Sequence, residues 1–252
     1  VNDYFDTKID QINKPTKVIV GNTISRNVAG WAFQICFAIG IACGIALAII
    51  LGKLNIAILF AVISGMLWFY SSSYKRIFLL GNLVISLCSF LSVFACSYLS
   101  AISLENKYGA LLYNTGILGE IYGWFAAFGL FAFLFTFIRE VVKDVEDIEG
   151  DREMECHSLP IVLGINTTKI VLTVVTLIST LIVGYFCFYL NPFTTDNITT
   201  KYYIFGILVP CIILIFWIGK AAKRRDWRQI STFVNFIMLI GTLYAAVVGY
   251  LF

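Results

Sequence analysis

Seven apolar runs, each about as long as a bilayer's hydrocarbon core is thick, recur along this 252-residue chain and decide its solvent. A helix rises about 1.5 Å per residue, so roughly 20 apolar residues cross the core. The runs lie near 28–51, 54–73, 78–102, 122–139, 169–190, 202–221 and 230–252, after a short N-terminal stub. In lipid every backbone N–H and C=O must be satisfied within the segment, which runs of this length achieve as helices. The predicted fold is therefore all-α, a multispanning transmembrane helix bundle with seven full spans. Composition agrees: charged residues are 13% of the chain, against roughly 25% in soluble domains, and only 4 prolines interrupt it.

Placing the spans sorts the basic residues. Loops on one side carry 15 of the 18 Lys and Arg; the opposite loops carry only Lys53, Lys107 and Lys201. The positive-inside rule puts the richer side in the cytoplasm. The net charge of +3 is too small to argue for a nucleic-acid partner. The 7 cysteines are odd in number, and all but Cys156 lie in apolar runs, so they read as small buried hydrophobes. Cys156 and His157 are adjacent, but His157 is the only histidine, too few ligands for a structural zinc.

Two acidic stretches repeat one spacing. The chain opens NDYFDTKIDQINKP, with Asp3, Asp6 and Asp10 three and then four residues apart; KDVEDIEGD repeats this with Asp144, Asp147 and Asp151. On a helix these positions share one face. Four spans lie between the triplets, so both emerge on the same side, which the charge count makes cytoplasmic. Stacked carboxylates repel one another unless a cation neutralises them, and clustered oxygen ligands suit a hard divalent ion. Magnesium takes one or two carboxylates and completes its shell with water and phosphate oxygens. Lys14, Lys17, Arg139, Lys143 and Arg152 lie close enough in sequence to neutralise the remaining phosphate charge. The plainer alternative is a solvated acidic segment at a membrane edge, which accounts for either triplet alone better than for both. Glu146, Glu149, Glu153 and Glu155 fall off the aspartate stripe or beyond Gly150 and are weaker candidates.

These residues resemble those of a known family. NDYFDTKIDQINKP is similar to the first, and KDVEDIEGD to the second, aspartate motif of the UbiA-type intramembrane prenyltransferases. The resemblance implies a bundle of nine transmembrane helices in which the two motifs face one another across a central cavity. Against that count, the chain is expected to be one domain, 1–252, lacking about one and a half helices at its N-terminus. Carried over by residue, the resemblance makes Asn2, Asp3, Asp6 and Asp10 the first metal-binding motif and Asp144, Asp147 and Asp151 the second. FYSSSYKRIFLLGN resembles a stretch in which a Tyr and a Lys approach the diphosphate. Tyr70 and Lys75 are chosen there, with Tyr74 and Arg76 competing and a belt aromatic the alternative role for Tyr70.

The implied activity is Mg2+-dependent transfer of a polyprenyl chain from an allylic diphosphate to a lipophilic acceptor. Asp6, Asp147, Lys75 and Tyr70 are the expected catalytic residues. KDVEDIEGD followed by SLPIVLG resembles enzymes acting on geranylgeranylglyceryl phosphate, or homogentisate-type enzymes; the glycerol phosphate acceptor is slightly favoured over homogentisate, 4-hydroxybenzoate or naphthoate. A cation-coupled transporter is the rival from another class. Its ionisable groups belong near the bilayer midplane, whereas these spans carry almost none. A membrane scaffold without catalysis is a second rival. Prenyl chain length and oligomeric state are not encoded in any motif found here.

Overall fold

The computed structural model describes residues 1–13, 16, 18–190 and 197–251. Its helices are α1 (Asn2–Phe5), α2 (Thr7–Asn13), α3 (Arg26–Leu51), α4 (Asn55–Ser72), α5 (Leu80–Tyr108), α6 (Ile117–Glu146), α7 (Ile148–Glu153), α8 (Leu159–Leu163), α9 (Ile165–Tyr185), α10 (Asn197–Tyr202), α11 (Val209–Lys220) and α12 (Arg224–Leu251). A 3-10 turn, Tyr74–Arg76, joins α4 to α5, and π-helical stretches extend α9 (Phe186–Leu190) and lead into α11 (Tyr203–Leu208). Among the described residues there is no strand beyond one isolated bridge.

Among the described residues seven helical segments are long and apolar enough to cross a membrane, and they fall on the seven predicted runs. The chain is an integral membrane protein. Several segments extend further than their apolar runs: α5 continues to Tyr108 and α6 to Glu146, α9 begins at Ile165, and α12 begins at Arg224. A hydropathy boundary marks where side chains meet water, but the backbone ladder continues beyond it. That continuation puts charged residues on the ends of spans.

Local chemistry sets several boundaries. Ser25 Oγ accepts the Val28 N–H at the start of α3, and Gly52, with φ 68°, closes its end. Asp226 Oδ2 accepts the backbone N–H groups of Ala222 (3.0 Å) and Lys223 (2.9 Å), satisfying donors at the start of α12.

The chain divides into two compact units, one of Val1–Gly129 with Glu149–Ser158, the other of Leu130–Ile148 with Leu159–Phe252. In the first, α3 packs on α4 and α4 on α5. Gly44 makes the α3–α4 approach possible, because a Cβ there would lie 2.5 Å from that of Phe60. Ala48, Ile56 and Ile102 form a buried cluster beside this contact.

In the second unit α9 packs on α11, and α11 on α12. The Phe131 ring lies on Gly241 of α12, where a Cβ would come within 2.0 Å of it. Below it Phe135, Ile138, Val141 and Val142 are wholly buried. Truncating Phe135 to Ala would cost about 3–5 kcal/mol by the usual core rule. Thr168, Thr176 and Thr180 return their hydroxyls to carbonyls four residues earlier, so no polar atom of theirs is stranded.

Apolar side chains also cover the outside: Ile49 is 76% and Leu181 70% exposed, an arrangement suited to lipid and not to water. Cys36, Cys43 and Cys96 lie on such exposed faces, which corrects the expectation of seven buried cysteines. In a bilayer a small apolar residue gains nothing by being inside.

Candidate active site

Each aspartate triplet straddles a helix junction. Asp6 sits between α1 and α2, and Asp147 between α6 and α7, so the middle aspartate of each leaves the continuous helical face that the spacing predicts. The break is slight, because the helical bonds persist: Asp6 N–H donates to Asn2 O, Asp10 N–H to Asp6 O, and Asp147 N–H to Lys143 O.

In the first unit Asp6 is 3% exposed and accepts a charge-assisted hydrogen bond from Lys75 Nζ. Burial works against the Lys75 ammonium, but the Asp6 carboxylate and its hydrogen bond, with Asp151 and Asp10, outweigh it and raise the pKa above its ordinary value. The carboxylates whose charges act on this ammonium come from both triplets, Asp6 and Asp10 from the first and Asp151 from the second.

Lys75 is placed by backbone geometry. A Cβ on Gly81 would lie 2.8 Å from Lys75 Cα and 2.9 Å from Tyr74 O, so the first turn of α5 rests directly on the 3-10 turn. Leu79, just before α5, is held at φ 60°, a left-handed conformation that costs a leucine about 1 kcal/mol or more. The His157 N–H donates to Arg76 O at 2.9 Å and ties the segment after the second motif to the same turn.

Asn2 Oδ1 and Ser158 Oγ are buried with no hydrogen-bond partner. A stranded acceptor beside Asp3 and Asp6 has the chemistry of an oxygen ligand to a hard cation, so this donor set fits a divalent metal. Among the described residues no three His, Cys, Asp or Glu side chains already converge on one point. Asp3 is exposed and lines a largely apolar cavity of about 560 Å³ with Tyr4, Phe33, Phe37 and Trp68.

In the second unit Asp147 accepts from Arg224 Nη2 at 3.2 Å, and the neighbouring Glu146 from Arg228 Nε at 3.0 Å. Both arginines stand on the first turns of α12, in the register that the Asp226 contacts define. Arg224 Nε is buried without a partner, a donor suited to a further anion.

The other predicted residues are less gathered. Tyr70 lies in the last turn of α4, half-buried, while Tyr74 stacks on Phe69 with ring centroids 5.7 Å apart. Arg139 pairs with the adjacent Glu140, Lys143 and Asp144 are half-buried on α6, and Arg152 is exposed on α7. Lys14 and Lys17 lie outside the described residues. Cys156 is buried, and burial together with the Asp151 charge pushes its thiol pKa up, away from the reactive thiolate.

Arg224, Arg228 and Asn13 were not singled out from sequence. The only signal for the arginines was the dense basic run from Lys220 to Arg228. Asn13 carries none.

A membrane-spanning helical protein with paired aspartate motifs and cations on them is an intramembrane prenyltransferase in form. The chain belongs to the UbiA prenyltransferase family, whose model matches residues 1–243. It is therefore a transferase, not a transporter or scaffold, and its family is generally metal-dependent.

Digeranylgeranylglyceryl phosphate synthase of Methanosphaera stadtmanae is 28% identical over 95% of this chain and 78% of its own length. The proteins of the same name from Sulfolobus acidocaldarius and Pyrococcus abyssi are 30% and 32% identical, over 99% and 96% of this chain and 79% of theirs. A solved structure bearing on digeranylgeranylglyceryl phosphate synthase in membranes superposes with a TM-score of 0.59 at 23% identity. It covers 96% of this chain and 76% of that one, and supports the fold.

Proposed function

We propose that this protein transfers a geranylgeranyl chain from its allylic diphosphate to the free hydroxyl of geranylgeranylglyceryl phosphate, forming an ether. The allylic carbon–oxygen bond breaks, the acceptor oxygen bonds to that carbon and gives up its proton, and inorganic diphosphate leaves. The observation that carries this reading is the contact between Lys75 and the buried Asp6, 69 residues apart in the chain, with the charges of Asp10 and Asp151 acting on the same ammonium. The relatives' shared name supports the acceptor.

Asn2, Asp3, Asp6 and Asp10 would hold Mg2+ from the first motif, and Asp144, Asp147 and Asp151 from the second. When bound, the metal neutralises the diphosphate and stabilises the charge that develops as it leaves. Lys75 directs an ammonium at that leaving group, and Tyr70 lies close by in sequence to position it. Arg139, Lys143 and Arg152, with Lys14 and Lys17, supply further positive charge for the phosphates. Arg224 adds its unpartnered Nε to this set. Apolar side chains such as Phe33, Phe37 and Trp68, which line the cavity beside Asp3, would keep water from the allylic cation, which water would otherwise trap. The 15-to-3 distribution of basic residues supports a cytoplasmic position for both motifs.

The test is incubation of membranes containing the protein with radiolabelled geranylgeranyl diphosphate, Mg2+ and either geranylgeranylglyceryl phosphate or homogentisate. Transfer to the glycerol phosphate alone is expected. Transfer to the aromatic compound alone would move the protein to quinone biosynthesis, and no metal-dependent transfer to either would sink the proposal.

A further inference from the structure

Asn13 ends α2, one helical turn after Asp10, and is only 3% exposed. Its Oδ1 accepts the backbone N–H of Gly150 at 3.0 Å, a contact that spans 137 residues of chain. A Cβ on Gly150 would lie 2.5 Å from Asn13 Nδ2 and 2.7 Å from Cγ, so the amide lies flat against the glycine. The contact needs an acceptor at 13 and no side chain at 150. Asp151 follows Gly150 directly and is buried. Its charge and that of Asp10 act on Lys75 with Asp6.

The geometry points to Asn13 as a positioning residue: by holding Gly150 it keeps Asp151 in register with Asp10 and Asp6 around Lys75. This rests on the prenyltransferase reading above and adds to it a residue outside both aspartate triplets. The helices concerned, 7 and 6 residues long, are too short to hold their places by their own hydrogen bonds. A tertiary tie must therefore set where their carboxylates stand. Asn13 acts through the carboxylates on either side of its contact, Asp10 and Asp151. A ligand shell displaced by about 1 Å loses much of its effect, which makes such a tie a determinant of metal and diphosphate affinity.

The test compares Asn13→Leu, Asn13→Asp and Gly150→Ala in the full chain in detergent or bilayer. Leu matches the volume without an acceptor, Asp keeps an acceptor oxygen, and Gly150→Ala leaves Asn13 in place but pushes it off. Mn2+ binding is read from the signal of the free ion in electron paramagnetic resonance, with unreactive geranylgeranyl thiolodiphosphate present. The half-saturating Mg2+ concentration for transfer is measured alongside. Asn13→Leu and Gly150→Ala should weaken Mn2+ binding and raise half-saturating Mg2+ by roughly tenfold or more, with kcat falling less. Asn13→Asp should recover most of the binding.

Unchanged metal dependence in both Asn13→Leu and Gly150→Ala, with only a lower unfolding temperature, would make the contact merely structural and overturn the proposal. If Asn13→Leu does not fold, Gly150→Ala decides alone. Absence of Mn2+ binding in the unmutated protein would instead sink the metal-dependent function itself.

Discussion

In the first aspartate triplet the middle carboxylate, Asp6, is nearly sealed from solvent and held by Lys75 from a 3-10 turn. In the second, Asp147 keeps 19% side-chain exposure and is held by Arg224 from the start of α12. The spacing is the same and both sit at a helix junction, yet the cations differ in kind. An ammonium concentrates its charge at one point and shifts readily with its surroundings, whereas a guanidinium spreads its charge over a planar fork. The third member of the second triplet differs again: Asp151 belongs to the compact unit that contains the first triplet. A repeat in sequence is thus not a repeat in setting, and the middle aspartates are expected to tolerate change unequally.

The largest effects should come from the middle aspartates themselves. Asp6→Ala and Asp147→Ala are each expected to abolish transfer while membrane insertion, read by fractionation, is unaffected; retained activity in both variants would show that these carboxylates do not hold the metal. Asp6→Ala should additionally lower thermal stability more than Asp147→Ala does, because Asp6 is nearly sealed from solvent (4% side-chain exposure against 19%) and its loss strands the Lys75 charge there.

Replacing the cations comes next. Lys75→Ala should slow transfer by roughly 10²–10³-fold, the usual loss for one preorganised charge donor. Arg224→Ala should cost about tenfold, less than Lys75→Ala because its partner Asp147 is more exposed than Asp6. Equal losses in the two would erase the contrast between the triplets.

Gly81→Ala tests how Lys75 is held. The added methyl meets the backbone of residues 74 and 75, so the 3-10 turn must move; overpacking of this kind costs about 1–3 kcal/mol. A lower kcat at unchanged diphosphate affinity is expected, together with a lower unfolding temperature. The smallest effect belongs to Arg228→Ala. Its side chain is 51% exposed, so activity within about twofold of normal is expected, with a lower unfolding temperature because the buried Glu146 loses its partner. A loss as large as that of Lys75→Ala would place Arg228 in the diphosphate site.

Much of the fold was legible from the sequence. Spans are set by runs of apolar residues, and each run reports on its own backbone, so seven helices could be counted without knowing what they touch. Their polar ends were less legible. The helical extension of α6 to Glu146 and the early start of α12 at Arg224 lie in charged sequence, where hydropathy falls but the hydrogen-bond ladder continues. The duplicated spacing revealed the candidate carboxylates for the same local reason. It gave no hint that each triplet breaks at its middle member.

The sequence by itself determined the solvent, the number of spans, the recurrence of the aspartates and the side on which the basic residues gather. Each of these depends on composition within about one helix length. Only the tertiary structure decided which cation meets which carboxylate. Lys75 reaches Asp6 across 69 residues, Arg224 reaches Asp147 across 77, and Asn13 reaches Gly150 across 137. Any of several lysines and arginines has the charge to make such a pair. The choice falls to packing: glycines at 81 and 150 that admit close approach, and a capped helix that presents its arginines in one register. Complementary charge is common in a sequence, but the position from which it acts is settled by contacts between residues that no local pattern relates.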